Sequence, residues 1–227
     1  MDKPHLTPFS RRALLGGVAA VGVLALPGCV TYVRWSIIDA VRRLLERASR
    51  MAFARLVAPG GFWDSQVARI DLPGTLGARG DALSRILTSA LFRDRLQHQL
   101  NIIAEDGARR AAPIVADTVR IIGIGNAMEI VRGGPTAATA FLRAEMANSL
   151  IDAMIPALGE SLRLVNDPLM GEALSALAGV DVPRMVHELS AKVDDVIWAE
   201  IGRAEALIRN DPRPTNDEAL IGTFGRP

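Results

Sequence analysis

What constrains this chain most is the spacing of its apolar side chains. Beyond the first 34 residues they recur every three or four positions, and no stretch of strict apolar–polar alternation is longer than about four residues. Trp35, Ile38, Val41, Leu45, Ala48, Ala52 and Leu56 fall on one helical face, and Pro59-Gly60-Gly61 closes that helix. Aromatic residues make up 4% of the chain against 49% hydrophobic residues overall. The core is therefore built from Ala, Leu, Val and Ile. Such a core suits closely packed helices and argues against a sandwich of aromatic and β-branched strands. The expected fold is all-α, a single irregular bundle of about six to eight helices.

The order of elements follows from stop and start signals. Residues 59–80 carry Pro and Gly at intervals and read as an irregular insert, with Val67, Ile70 and Leu72 pinning it to the core in extended form. Asp81 is a candidate N-cap for a helix that runs to about Ala112, with a break near Phe92. Pro113 fits the first turn of a new helix through Val115, Val119 and Ile122, which Gly123 and Gly125 end. Asn126 and Glu129 have the spacing of a capping box for a short helix that stops at Gly133-Gly134. Thr136 caps the next helix, which runs through Ala140, Phe141, Ala144, Ala147, Leu150, Ile151 and Met154, with a kink at Pro156 and a continuation to Val165. Asp167-Pro168 opens a short helix to about Leu177. Asp181 and Pro183 open a long one through Val186, Leu189, Val193, Ile197, Ile201 and Ile208. Residues 210–227, with Pro212 and Pro214, read as an extended tail. Residues 30–227 thus form a single domain.

The first 29 residues have a different character. Lys3, Arg11 and Arg12 form a basic head, and Ala13–Leu26 is uncharged and apolar. That stretch has the length of a signal h-region and falls short of the roughly 20 residues that a membrane-crossing helix needs. Ser10-Arg11-Arg12 with Leu14 and Leu15 resembles a twin-arginine export signal, whose receptor reads the paired guanidinium groups; the general secretory route accepts the same basic head. Cys29 is the lone cysteine, so no internal disulfide staples the fold. Its place at the end of the h-region resembles a bacterial lipobox, in which the cysteine becomes the lipidated first residue. The expectation is a lipid anchor at Cys29 in the envelope of a Gram-negative bacterium, facing the periplasm.

Charge excludes one class of partner. The chain has 26 Lys and Arg against 25 Asp and Glu, and removing Lys3, Arg11, Arg12 and Asp2 leaves one acidic group in excess. A nucleic-acid-binding domain would carry a clustered basic surplus. The exception to the balance is local: Arg42, Arg43, Arg47 and Arg50 crowd one helix shortly after Cys29. Each arginine near an anionic lipid surface contributes about 1 kcal/mol, so this helix is the candidate contact with a membrane or an acidic partner.

Three groups of residues bear a family resemblance. They are Gly61-Phe62 with Val67-Ala68-Arg69-Ile70 and Leu72-Pro73; Ala127–Gly134 with Ala137-Ala138-Thr139 and Phe141; and Leu207–Pro212 with Leu220–Gly225. Together, in this order, they resemble the bacterial domain of unknown function family 4197, over roughly Ile37 to Gly225. The resemblance implies an exported helical protein and brings with it no catalytic residues.

No chemistry-bearing constellation stands out. His98 and His187 are isolated, and two imidazoles do not supply the three or four ligands of a metal site. Asp194 and Asp195 diverge by about 100° on a helix; one is expected to pair with Lys192 or an arginine elsewhere, on a solvated or ion-paired face. Gly123-Ile124-Gly125 lacks the third glycine of a dinucleotide loop and follows a helix. No Gly-x-Ser-x-Gly elbow occurs. No catalytic residue, cofactor or metal is therefore expected. The leading reading is a non-enzymatic envelope lipoprotein that binds a protein partner or a lipid; the alternatives are an exported enzyme or cofactor binder, and a soluble periplasmic ligand-binding protein. A polar pocket with convergent charges would favour an enzyme, an apolar channel between helices a lipid, and a solid core with an apolar patch a protein.

Overall fold

The computed structural model describes residues 36–72, 90–163 and 182–225, all within one compact unit, Trp35–Pro227. Residues 1–35, with Arg11, Arg12 and Cys29, lie outside the described residues, as do the expected Asp81 cap and the expected helix from Asp167 to Leu177. Seven α-helices and no strand occur among the described residues: α1 (Ile37–Leu56), α2 (Ala90–Ile121), α3 (Ala127–Arg132), α4 (Ala137–Met146), α5 (Ser149–Arg163), α6 (Val182–Asn210) and α7 (Glu218–Phe224). The all-α expectation holds. None of these helices is long and apolar enough to cross a membrane.

Helices α1, α2, α5 and α6 pack around a common core, with α3, α4 and α7 against its flanks. α1 begins at a capping box: the Ser36 hydroxyl accepts from the Asp39 N–H at 3.1 Å, and the Asp39 carboxylate accepts from the Ser36 N–H at 3.1 Å. Its buried face holds Val41, Leu44, Leu45, Ala48, Ala52 and Leu56, while Ile38, expected on that face, is exposed. Each such Leu removed from water contributes about 1.5–3 kcal/mol. α2 and α5 approach closely at Gly107, where a Cβ would lie 3.0 Å from the Leu158 side chain.

The sequence-based boundaries needed five corrections. Pro113 does not start a helix; α2 runs through it unbroken from Ala90 to Ile121, with no interruption at Phe92. Pro113 sits on the exposed side, while Ala111 and Val115 on either side of it are fully buried, so packing holds the helix together through the missing N–H. The helix expected after Thr136, running through Ala140 and Met154, is two helices, separated at Ala147, which has a positive φ of 46°. Asn126 does not form its capping box: no side-chain cap bond is made, and Glu129 is exposed. Val67 points outward; Ile70 is buried and Leu72 packs on the core as expected, joined by Phe62 and Ala68, and residues 57–68 form turns where an extended run was expected. The tail is not extended. After a 3-10 turn at Arg213–Thr215, Asp217 caps α7 through the N–H groups of Ala219 and Leu220, and Leu220 is fully buried.

Candidate functional site

Two kinds of polar arrangement occur in this bundle. The first consists of closed clamps. The Glu205 side chain, on α6, is fully buried. Its carboxylate accepts from the Ala138 and Thr139 N–H groups at 2.9 and 2.7 Å and from the Thr139 hydroxyl at 2.6 Å. It thereby caps the N-terminus of α4, the role expected of Thr136, whose side chain makes no cap bond. One turn along α6, Arg209 donates to Glu205 at 2.7 Å and to the carbonyls of Val131 and Ile130 at the end of α3, at 3.1 and 3.0 Å. Its guanidinium also lies 4.7 Å over the Phe224 ring. One ion pair therefore finishes two helix ends and holds α7.

A second clamp fixes the 57–72 segment on α2. Asn101, fully buried, accepts from the Ile70 N–H at 2.8 Å and donates to the Ile70 carbonyl at 3.0 Å. The Glu105 carboxylate takes backbone N–H groups of Gly60 and Phe62, and burial nevertheless pushes its pKa up. Gly60 has φ +77°, and a Cβ on Gly61 would lie 2.3 Å from the Arg55 carbonyl, so this turn needs glycine at both places. His98 meets the edge of Trp63 at 4.9 Å, and His187 is exposed on α6. Among the described residues no three His, Cys, Asp or Glu gather as a metal site would require. Asp194 and Asp195 both pair with Arg143, and Asp194 also accepts from Trp198 Nε1 at 2.9 Å. Burial raises the Asp194 pKa.

The other arrangement is open. A groove of about 800 Å³ runs between α1 and α2, within the size range of small-ligand sites. Phe53, Ala54 and Val57 line it from α1, and Ala112, Pro113, Ala116 and Val119 from α2. The two helices run antiparallel here: Arg109 donates to the Val57 carbonyl at one end, and Arg42 to the Val119 and Ile122 carbonyls at the other. The gap exists because α2 presents alanines and a proline where longer side chains would fill it. Ser49 lines the floor, buried, and its hydroxyl has no hydrogen-bond partner. Elsewhere in the bundle Ser190 and Thr118 satisfy theirs on the carbonyl four residues back, at 2.9 and 2.8 Å.

At the groove's α1 N-terminal side lies a polar pocket of about 400 Å³ that shares Glu46 and Arg50 with it. All four arginines singled out in the sequence, Arg42, Arg43, Arg47 and Arg50, meet there with Asp39 and Asp217. Their fates differ. Arg42 serves the α2 C-terminus and lies 3.9 Å from Asp39, and Arg43 pairs with Asp217 at 3.2 Å. Arg47 and Arg50 make no hydrogen bond or ion pair among the described residues. The periodicity of α1 revealed the arginines. The groove beside them escaped the sequence reading because it depends on which residues of α2 lie opposite.

Fold and site together define an all-α bundle with an apolar surface groove between two antiparallel helices and a basic pocket at its end. The chain belongs to the family described as "Protein of unknown function (DUF4197)", whose model matches residues 32–225. No curated protein and no solved structure matches the chain. The three sequence groups that carry the resemblance fall on the clamps: Phe62 and Ile70 on the α2 clamp, and Ile130, Thr139, Arg209 and Phe224 around Glu205.

Proposed function

We propose that this protein is an envelope lipoprotein, exported through the signal at Arg11 and Arg12 and anchored at Cys29, whose helical domain binds an acyl chain in the α1–α2 groove without catalysing a reaction. The observation that carries this reading is the groove itself, an open, largely apolar channel between α1 and α2. Such a channel suits a flexible hydrocarbon, which gains about 0.8 kcal/mol per methylene taken out of water. The lipobox-like position of Cys29 supports the reading from the sequence side, since an anchor there would hold α1, a few residues further on, near the lipid headgroups.

Native and denaturing mass spectrometry of the protein drawn from its own membrane fraction tests both parts. The expected mature chain starts at Cys29, is heavier by covalent acyl groups, and carries a non-covalent lipid mass under gentle ionisation. Ala116→Phe, at an exposed position on the groove wall, is expected to remove the non-covalent mass and leave the covalent one. An unmodified chain cut elsewhere would overturn the anchor, and a non-covalent mass unaffected by Ala116→Phe, or none, would overturn the groove.

A further inference from the structure

The groove and the polar pocket are successive parts of a single stripe on α1. Residues 39, 42, 43, 46, 47 and 50 line the pocket, and 46, 49, 50, 53, 54 and 57 line the groove, at the same three- and four-residue spacing. The stripe changes character halfway, charged toward the N-terminus and apolar toward the C-terminus. From Glu46 to Val57 the groove's lining on this side spans about 17 Å at 1.5 Å per residue, polar at Glu46, Ser49 and Arg50 and apolar at Phe53, Ala54 and Val57.

The charge at that end is not balanced. Asp39 and Asp217 each lie beside an arginine of their own, Arg42 and Arg43. Glu46 offsets one of the two remaining guanidinium groups, Arg47 and Arg50, and one positive charge is left over. Arg50 stands where the two spaces join, one residue from Ser49, whose buried hydroxyl lacks a partner. A buried hydroxyl without a partner is costly in a finished core, and here it is followed by a cation without one.

Resting on the acyl-chain reading above, we infer that the occupant is an anionic single-chain amphiphile: its tail lies between α1 and α2, and its carboxylate or phosphate head is held by Arg47 and Arg50, with Ser49 supplying a hydroxyl donor. Arginine's planar fork suits both head groups. An uncharged amphiphile of equal length would fill the groove and leave the guanidinium groups unused.

The test uses the full chain carrying Cys29→Ser, freed of lipid, in calorimetric titrations with laurate, monolaurin and inorganic phosphate. Laurate is expected to bind at least about tenfold more tightly than monolaurin, the factor that a single charge-assisted hydrogen bond readily supplies. Arg47→Gln with Arg50→Gln should bring that ratio to about one while monolaurin affinity stays the same. An unchanged thermal midpoint shows the variant is folded, and Arg50→Gln alone, which should cut the ratio part of the way, serves if the double variant does not fold. Equal affinity of laurate and monolaurin for the unsubstituted arginines would overturn the head-group assignment and leave the groove reading standing. Phosphate binding as tightly as laurate would also overturn it, by revealing a bare anion site. If neither laurate nor monolaurin binds, the acyl-chain reading fails and this inference fails with it.

Discussion

The Glu205–Arg209 clamp and the α1–α2 groove treat buried polar atoms in opposite ways. In the clamp both carboxylate oxygens and the guanidinium are engaged, by two backbone N–H groups, a hydroxyl and two carbonyls. In the groove a buried serine hydroxyl is left over, and two arginines nearby make no described contact. Buried charge is tolerated when every valence is met, and it then fixes geometry. Polar groups left without a partner beside a channel do nothing for the fold, so the two regions answer to different demands. The clamp holds the bundle together, and the groove is available to something outside it.

Substitutions should separate the regions sharply. The largest effect is expected from Glu205→Ala, which strands Arg209 and uncaps α4; destabilisation of about 3–5 kcal/mol in denaturant unfolding is expected. A loss below 1 kcal/mol would break the comparison on its structural side. Asn101→Ala, which frees the Ile70 N–H and carbonyl, should destabilise by about 1–3 kcal/mol and raise amide exchange first across residues 57–72.

A pH experiment comes next in size. The folded-state pKa of Asp194 is raised above its ordinary 3.8, chiefly by burial, so the native chain holds this proton more tightly than the unfolded one. Stability from this group is therefore gained as pH falls through the raised value toward 3.8 and lost as pH rises back through it. Asp194→Asn keeps an oxygen for Trp198 Nε1 and removes the titration. The thermal midpoint of the variant relative to that of the parent chain should fall as pH is lowered through that window, because only the parent gains this stability; a constant difference would refute the assignment. The smallest effect belongs to the groove. Ser49→Ala removes an unpaired hydroxyl and should leave stability unchanged or slightly raised, within about 0.5 kcal/mol. A loss above 1 kcal/mol would mean that Ser49 has a structural partner, and the contrast between the two regions would dissolve.

Sequence periodicity located α1 to within two residues, placed the ends of α2 and α3 at Gly123 and Gly133, and picked out the core of α6, because each of these depends on neighbours three or four positions away. The misreadings share a cause. The gap between α4 and α5 at Ala147 has neither Gly nor Pro to announce it. Pro113 looks like a start because its local signal is strong, and the packing of Ala111 and Val115 overrules it. Residues 210–225 look like a tail because Pro212 and Pro214 break the pattern just before Asp217 restarts it. Thr136 was a sensible cap in sequence, yet the atom that does the capping belongs to a residue 66 positions beyond Thr139. The groove was half legible: α1 displayed its arginines, while the small residues opposite them on α2 become meaningful only once the antiparallel pairing is known.

The Glu205–Arg209 pair also sets an order of assembly. The N–H groups opening α4 and the carbonyls closing α3 acquire their partners only when α6 has formed and docked, with the partner residues 66 to 79 positions downstream. On a growing chain these two short helices must wait, and closing so long a loop is the slow kind of folding step. A chain that ends before Glu205 would leave both helix ends uncapped, and one that ends just before Arg209 would leave the α3 carbonyls without their partner. The fold is thus completed from its C-terminal end, and shortening that end would undo contacts made in the middle.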